Sequence, residues 1–280
     1  MKKMYCVLTL FLLVVLASSA FGAAVYSEWR GAEGAAWNVT TNWNNGIVPT
    51  AKDKPGVQDP NYSKGGCKAF GSAPYTITSP DITAGITVAC DQFTLGGTNG
   101  GKLVIGGGTM NISEYLTMGA NQGENGVLYM NSGTIKTGLF VNNAHLFIGQ
   151  KGIGTVYMNG GTIDLISVNP GNLRIADVNA MADGKLYLNA GTIYANDLLM
   201  PYAKAGSIDI TGGVLQLIGN DTATVNGFVT AGKIITSLEN GTIQATYNSG
   251  TNRTTVIAIP EPATICLLGF GVLSLIRRKK

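Results

Sequence analysis

Gly154-Thr-Val-Tyr-Met-Asn-Gly-Gly161-Thr-Ile163 is one of five segments that align with one another along the chain. The others are Gly101-Lys-Leu-Val-Ile-Gly-Gly-Gly108-Thr-Met110, Gly126-Val-Leu-Tyr-Met-Asn-Ser-Gly133-Thr-Ile135, Gly184-Lys-Leu-Tyr-Leu-Asn-Ala-Gly191-Thr-Ile193 and Gly206-Ser-Ile-Asp-Ile-Thr-Gly-Gly213-Val-Leu215. Their starts lie 25, 28, 30 and 22 residues apart. Self-similarity at that period marks a stacked repeat. Inside each segment the apolar residues recur at i, i+2, as in Val156 and Met158 or Leu186 and Leu188, which is strand periodicity rather than helical periodicity. A further motif follows the first four segments: Leu116-Thr-Met-Gly119, Leu146-Phe-Ile-Gly149, Leu173-Arg-Ile-Ala176 and Leu198-Leu-Met-Pro201. Phe93-Thr-Leu-Gly96 reads as the same element from an earlier turn.

Each unit is thus expected to hold three short strands, with a glycine corner (Gly108, Gly133, Gly161, Gly191, Gly213) between the first two. That metre predicts an all-β, right-handed parallel β-helix. Stacking places equivalent residues about 4.8 Å apart. The expected inward ladders are Ile105–Met130–Met158–Leu188–Ile210, Met110–Ile135–Ile163–Ile193–Leu215 and Leu116–Leu146–Leu173–Leu198. Asn131, Asn159 and Asn189 should form an amide ladder at the corner. Tyr129, Tyr157 and Tyr187 should face outward on one side, either packing on each other or offering a surface to a sugar.

The flanks differ from the repeats. All three tryptophans, Trp29, Trp37 and Trp43, precede them, and large aromatics suit the capping of an open hydrophobic turn. After the repeats, 242–247 and 254–259 flank Asn248-Ser-Gly-Thr-Asn252 and read as a hairpin. Lys2 and Lys3, the apolar run 4–16 and the small residues 17–20 make a secretory signal peptide, cut by signal peptidase after Gly22 or nearby. The expected organisation is a signal peptide at 1–22, a Trp-rich cap at 23–80, solenoid repeats at 81–219, a C-terminal cap and hairpin at 220–259, and a targeting tail at 260–280. A membrane-targeting helix is expected at each terminus.

That tail reads Pro260-Glu261-Pro262, then an uncharged apolar run 265–276, then Arg277-Arg278-Lys279-Lys280. The prolines stop any preceding helix. The run resembles a short transmembrane segment, and the four cations stop transfer and stay in the cytoplasm. In this order the three parts resemble the PEP-CTERM sorting signal of Gram-negative bacteria. The resemblance implies recognition and cutting near Pro260 by an exosortase-type membrane enzyme. It also implies release or attachment at the cell surface or in the extracellular matrix. Trp37, Asn38, Asn42, Trp43, Asn44 and Gly46-Ile-Val-Pro49 resemble the opening of exported autotransporter-like β-solenoids.

Composition fits this destination. Glycine is 39 of 280 residues, about twice its usual share of roughly 7%. The formal net charge is +3, yet six of the 19 cations lie in the two targeting ends, leaving 13 against 16 acids in residues 23–276. No basic patch remains, so nucleic acid is not an expected partner. Cys67 and Cys90 are the two cysteines outside the targeting ends, and export permits a disulfide between them.

Catalysis is not expected. Glycoside hydrolysis needs two facing carboxylates, and a lyase needs a basic group with a cation site. The acids Glu114, Glu124, Asp164, Asp177, Asp183, Asp197 and Asp209 share no ladder position. Asp177, Asn179 and Asp183 share one loop and offer weak cation binding at most. His145 is the only histidine and has no neighbouring acid or nucleophile in sequence. The expectation is a non-enzymatic surface or matrix protein of structural or adhesive type, with no cofactor and no metal. One rival is a carbohydrate-binding protein that contacts extracellular polysaccharide through Tyr129, Tyr157 and Tyr187 or through Trp37 and Trp43. The other rival is a polysaccharide lyase or glycosidase built on the same helix.

Overall fold

Alternation decides which side chains each turn buries. In the computed structural model, which describes residues 27–44, 46–49, 67–69, 80–97, 100–138, 144–202 and 206–260, the elements run as follows. They are β1 (Ser27–Glu28), β2 (Cys67–Ala69), β3 (Thr87–Cys90), β4 (Phe93–Leu95), β5 (Gly101–Ile112), β6 (Leu116–Met118), β7 (Asn125–Lys136), β8 (Leu146–Ile148) and β9 (Ile153–Asp164). After these come β10 (Leu173–Ile175), β11 (Asp183–Ala195), β12 (Leu198–Leu199), β13 (Gly206–Ile210), β14 (Val214–Ile218), α1 (Thr222–Thr230), β15 (Ile234–Ile235), β16 (Thr242–Asn248) and β17 (Arg253–Ile259).

These strands wind into a β-solenoid of about five turns. One sheet stacks the short strands in the order β1-β2-β4-β6-β8-β10-β12, and all of its pairs are parallel. The other runs β16-β17-β14-β11-β9-β7-β5-β3, with β13 joining β11 and β15 alongside. The register is in step from turn to turn. Ile105 faces Met130, Met130 faces Met158, Met158 faces Leu188 and Leu188 faces Ile210. The ladders through Ile163 and Leu173 run as expected from their spacing. Met130, Met158, Ile135, Ile163, Leu146 and Leu173 are fully buried between the sheets. Solvation of this core is avoided only by stacking, because one turn alone has no second apolar layer to cover it.

The corner departs from the expected three strands. In the first four units the first two run as a single strand of 12 or 13 residues, bent in β7, β9 and β11 where Asn131, Asn159 and Asn189 stand exposed, whereas in the fifth β13 and β14 stay separate. Turn-to-turn pairing persists on both sides of the bend, with register shifts at the corner of β11 against β9. The bend needs left-handed backbone: Gly133, Gly161 and Gly191 have φ of +83°, +76° and +80°. A Cβ on Gly161 would stand 2.6 Å from the Gly133 carbonyl oxygen and 2.8 Å from Met130 Cε. Neither the dihedral nor the space suits another residue.

The amide ladder closes over these corners. Asn159 Nδ2 donates to Asn131 Oδ1 and Asn189 Nδ2 donates to Asn159 Oδ1, both at 3.0 Å. Thr211 Oγ1 extends the chain by donating to Asn189 Oδ1 at 3.1 Å. Asn159 and Asn189 thus each give to one neighbour and accept from the next, with Asn131 accepting at the end of the ladder, which uses the dual character of the amide.

At the C-terminal end the parallel order stops. β17 pairs antiparallel with β14, Leu215 facing Val256, and β16 completes the hairpin. An element that the strand pattern did not indicate, α1, lies between. Its sequence, Thr-Ala-Thr-Val-Asn-Gly-Phe-Val-Thr, is rich in weak helix formers. It forms because Val225 is fully buried and Phe228 and Val229 pack on the core beside it, so tertiary burial outweighs propensity. The Thr254 hydroxyl, itself buried, donates to Gly219 O at 2.7 Å and accepts from Asp221 N at 2.8 Å, which ties the approach to α1 onto the hairpin.

At the other end Trp29, Trp37 and Trp43 are buried. Trp43 meets Trp29 and Trp37 edge-on at 5.2 and 4.7 Å, and Trp37 stacks on Phe93 at 6.0 Å. The Trp43 indole N–H donates to Trp37 O at 2.8 Å. The signal peptide, the two membrane-targeting helices and most of 50–79 lie outside the described residues. Among the described residues no helix is long and apolar enough to cross a membrane. Cys90 is buried; the Cys67 side chain, and with it the expected Cys67–Cys90 bond, lies outside the described residues.

Two substitutions separate the corner's parts. Gly161→Val lowers stability by about 3 kcal/mol, from left-handed strain and overpacking together. Asn159→Leu removes two amide bonds from an exposed ladder and costs about 1–2 kcal/mol. Urea unfolding followed by far-UV circular dichroism measures both, and equal midpoints for Asn159→Leu and wild type would refute the ladder.

Candidate functional site

Repetition places the aromatic surface. Tyr129, Tyr157 and Tyr187 face one another across β7, β9 and β11. Their rings stack at 5.1 Å and 4.9 Å with interplanar angles of 9° and 5°. Both faces of Tyr157 are therefore covered by tyrosine, and only ring edges and hydroxyls face outward. A sugar stacks on a free ring face, and within this ladder such faces remain only at its two ends. Trp37 and Trp43 are 4% and 3% exposed, and their faces meet other aromatic rings.

The carboxylates are arranged differently. Asp177 is nearly buried and held by Arg174, with Nε at 2.9 Å and Nη2 at 2.8 Å. Asn179 turns its Oδ1 onto the N–H groups of Met181 and Ala182, both at 2.9 Å, and Asp183 lies 3.3 Å from Lys185. The loop expected to offer weak cation binding thus spends its oxygens on its own chain and on Lys185 and Arg174. Among the described residues no group of three acids, histidines or cysteines is placed to hold a metal.

Asp197 and Asp221 were hidden from the repeat pattern because neither recurs on a ladder. With Arg174 and Asp177 they line a cleft of about 390 Å³ between β10, β12 and the start of α1. Burial, and secondarily the Asp197 charge, raises the Asp221 pKa above its ordinary 3.8. Asp197 Oδ1 accepts from Leu198 N at 2.7 Å. On the same face, His145 Nδ1 accepts the Asn172 N–H at 3.0 Å, and its ring meets Phe147 edge-on. Burial first, then the Arg174 charge, lowers its pKa below 6.5, against the opposing pull of Asp177. The imidazole is thus a neutral acceptor fixed to backbone.

The decisive functional feature lies at the C-terminal end of the described residues. β17 closes at Ile259, and Pro260 follows as the last described residue. Residues 258–280 match the PEP-CTERM protein-sorting motif. The chain carries a PEP-CTERM sorting signal. This marks an exported protein, sorted by exosortase and anchored transiently at the membrane through its C-terminus. No curated protein and no solved structure matches the chain. Glu261, Pro262 and the basic residues Arg277, Arg278, Lys279 and Lys280 fall within the match but outside the described residues.

The environment of Asp221 makes stability depend on pH. Folding holds this proton to higher pH than the unfolded chain does. Its stabilising contribution is complete below pH 3.8 and is lost as pH rises through the folded pKa. Asp221→Asn therefore raises the melting temperature at neutral pH and leaves it unchanged below pH 3.8, as read by thermal circular dichroism. His145 has the opposite slope: its neutral form is the one folding favours, so its contribution is complete above pH 6.5 and is lost as pH falls below that value. His145→Gln flattens that part of the stability profile.

Proposed function

We propose that the chain is a non-catalytic structural protein of the cell surface or extracellular matrix, a stiff β-solenoid delivered and released through its PEP-CTERM tail. In this reading residues 1–22 direct export and signal peptidase removes them. The Trp29–Trp37–Trp43 cluster closes the N-terminal end of the solenoid, and α1 with the β16–β17 hairpin closes the other. Exosortase then cuts near Pro260-Glu261-Pro262 while Arg277–Lys280 hold the tail at the cytoplasmic side of the membrane. The observation that carries the reading is the junction itself. The sorting motif begins at residue 258, within the last strand, which closes at Ile259.

The physical case for a structural role is the economy of the outward faces. The tyrosines cover one another, Asp177 is neutralised by Arg174, and the corner amides satisfy one another. A surface whose polar groups are met internally suits display and stacking more than turnover. The cleft holding Asp197 and Asp221 keeps the glycosidase or lyase rival open to test, and turnover of an acidic polysaccharide by the purified protein would defeat the non-catalytic reading.

Replacing Pro260, Glu261 and Pro262 together by alanine is expected to leave the chain in the membrane fraction at the mass of the uncut tail. The wild-type protein is expected in the surface or released fraction, shortened at the C-terminus. Intact-mass spectrometry of the two fractions checks this, and release of the triple variant in shortened form would overturn the assignment of the cutting site.

A further inference from the structure

A second outward ladder runs along the other side of the corner. Lys136, Asp164, Tyr194, Gln216 and Thr255 are register partners on β7, β9, β11, β14 and β17. Unlike the tyrosine ladder, its members change chemistry at every step. Beside it the β16–β17 hairpin adds Asn248, Thr251 and Arg253, and with Asp164, Tyr194, Gln216 and Thr255 these wall an open groove of about 760 Å³, within the size range of ligand sites.

Arg253 is the unusual member. Its guanidinium carbon lies 5.3 Å from the centre of the Tyr194 ring, so the cation rests on an aromatic face. Its Nη1 is buried and has no hydrogen-bond partner, and none of the ion pairs among the described residues includes it. A buried charged donor left unmet is costly. The fork of a guanidinium matches a carboxylate in two parallel bonds, so a carboxylate in the groove that draws the Arg253 side chain towards it would meet this donor as well.

The rest of the groove narrows the ligand. Asn248 Oδ1 is occupied by the N–H groups of Gly250 and Thr251, at 2.8 and 3.2 Å, which leaves its NH₂ as donor. Gln216 and Thr251 add an amide and a hydroxyl. Asp164, steadied by the Ile166 N–H at 3.0 Å, supplies an acceptor and a negative charge. One cation and one anion favour a ligand with a single negative charge over a phosphate dianion, and the carboxylate of Asp164 suits hydroxyl donors. An open, polar groove of this length suits a chain passing through it better than an enclosed small molecule.

We propose that this groove binds a polysaccharide bearing carboxylated sugars, with the uronate carboxylate on Arg253 and ring hydroxyls on Asp164, Gln216 and Asn248. The proposal goes beyond the structural role and is independent of tail processing. The test is isothermal titration calorimetry of the full chain, kept soluble in a non-ionic detergent, against oligogalacturonate and against its methyl ester. Wild type binds the acid form and binds the ester at least tenfold more weakly. Arg253→Gln loses roughly tenfold or more in affinity for the acid form, and Arg253→Lys, which keeps charge but not the fork, falls between. Thr251→Trp, which fills the groove from the exposed turn and leaves Arg253 in place, abolishes binding. Circular dichroism confirms that each variant is folded. Equal binding of acid and ester, wild-type affinity in Arg253→Gln, or no binding by wild type would each overturn the proposal, and none of these results touches the sorting assignment.

Discussion

The structure depends on one constraint: parallel strands stacked in register place each side chain about 4.8 Å from its equivalent in the next turn. Where the sequence repeats, like meets like at that separation, so a repeating position must hold a residue that tolerates its own kind as neighbour. Methionine and the branched aliphatics do so inside, where packing density is the only demand. Asparagine does so at the corner, because an amide is donor and acceptor at once and two copies are complementary. Tyrosine does so outside, by face-to-face offset packing. A carboxylate or an ammonium does not, since a stack of like charges repels itself. This is why charged residues are only 12% of the chain and why acids do not repeat on any ladder.

The same constraint acts on the backbone. Three successive corners take a left-handed residue whose Cβ position is already occupied by the turn below. Glycine's excess is therefore not looseness. Its conformational cost in the unfolded chain is offset by letting hydrogen bonding continue from turn to turn on both sides of the bend. The result is one long bent strand where separate short ones were expected.

Repetition also governs what could be read without coordinates. The three inward ladders, the amide ladder and the tyrosine stack were all legible, because each is stated three or more times along the chain. The helix α1 was not: it occurs once, and its threonines, valines and glycine speak against it locally. Only the buried place offered to Val225 makes it form. Nor were Asp197 with Asp221, or Arg253 with Tyr194, legible as pairs, since each unites single residues from different turns. The tryptophans stood out by composition, yet composition did not reveal that they are buried against one another and against Phe93.

Function, in such a fold, concentrates where the repeat fails. Inside the stack most of each turn's groups are satisfied by the next, and a ligand finds little that is both unmet and exposed. At the last turn β17 enters antiparallel, its residues no longer need to match those below, and a cation can lie across the ring of Tyr194 with one nitrogen unpaired. The end that must differ in order to stop the solenoid is thus free to carry specific chemistry. It is also the end joined directly to the sorting signal, so the groove formed by the hairpin lies on the same element that leads into the membrane-directed tail. Stopping the stack, presenting an unsatisfied polar surface and handing the chain to the sorting enzyme are three consequences of one break in register.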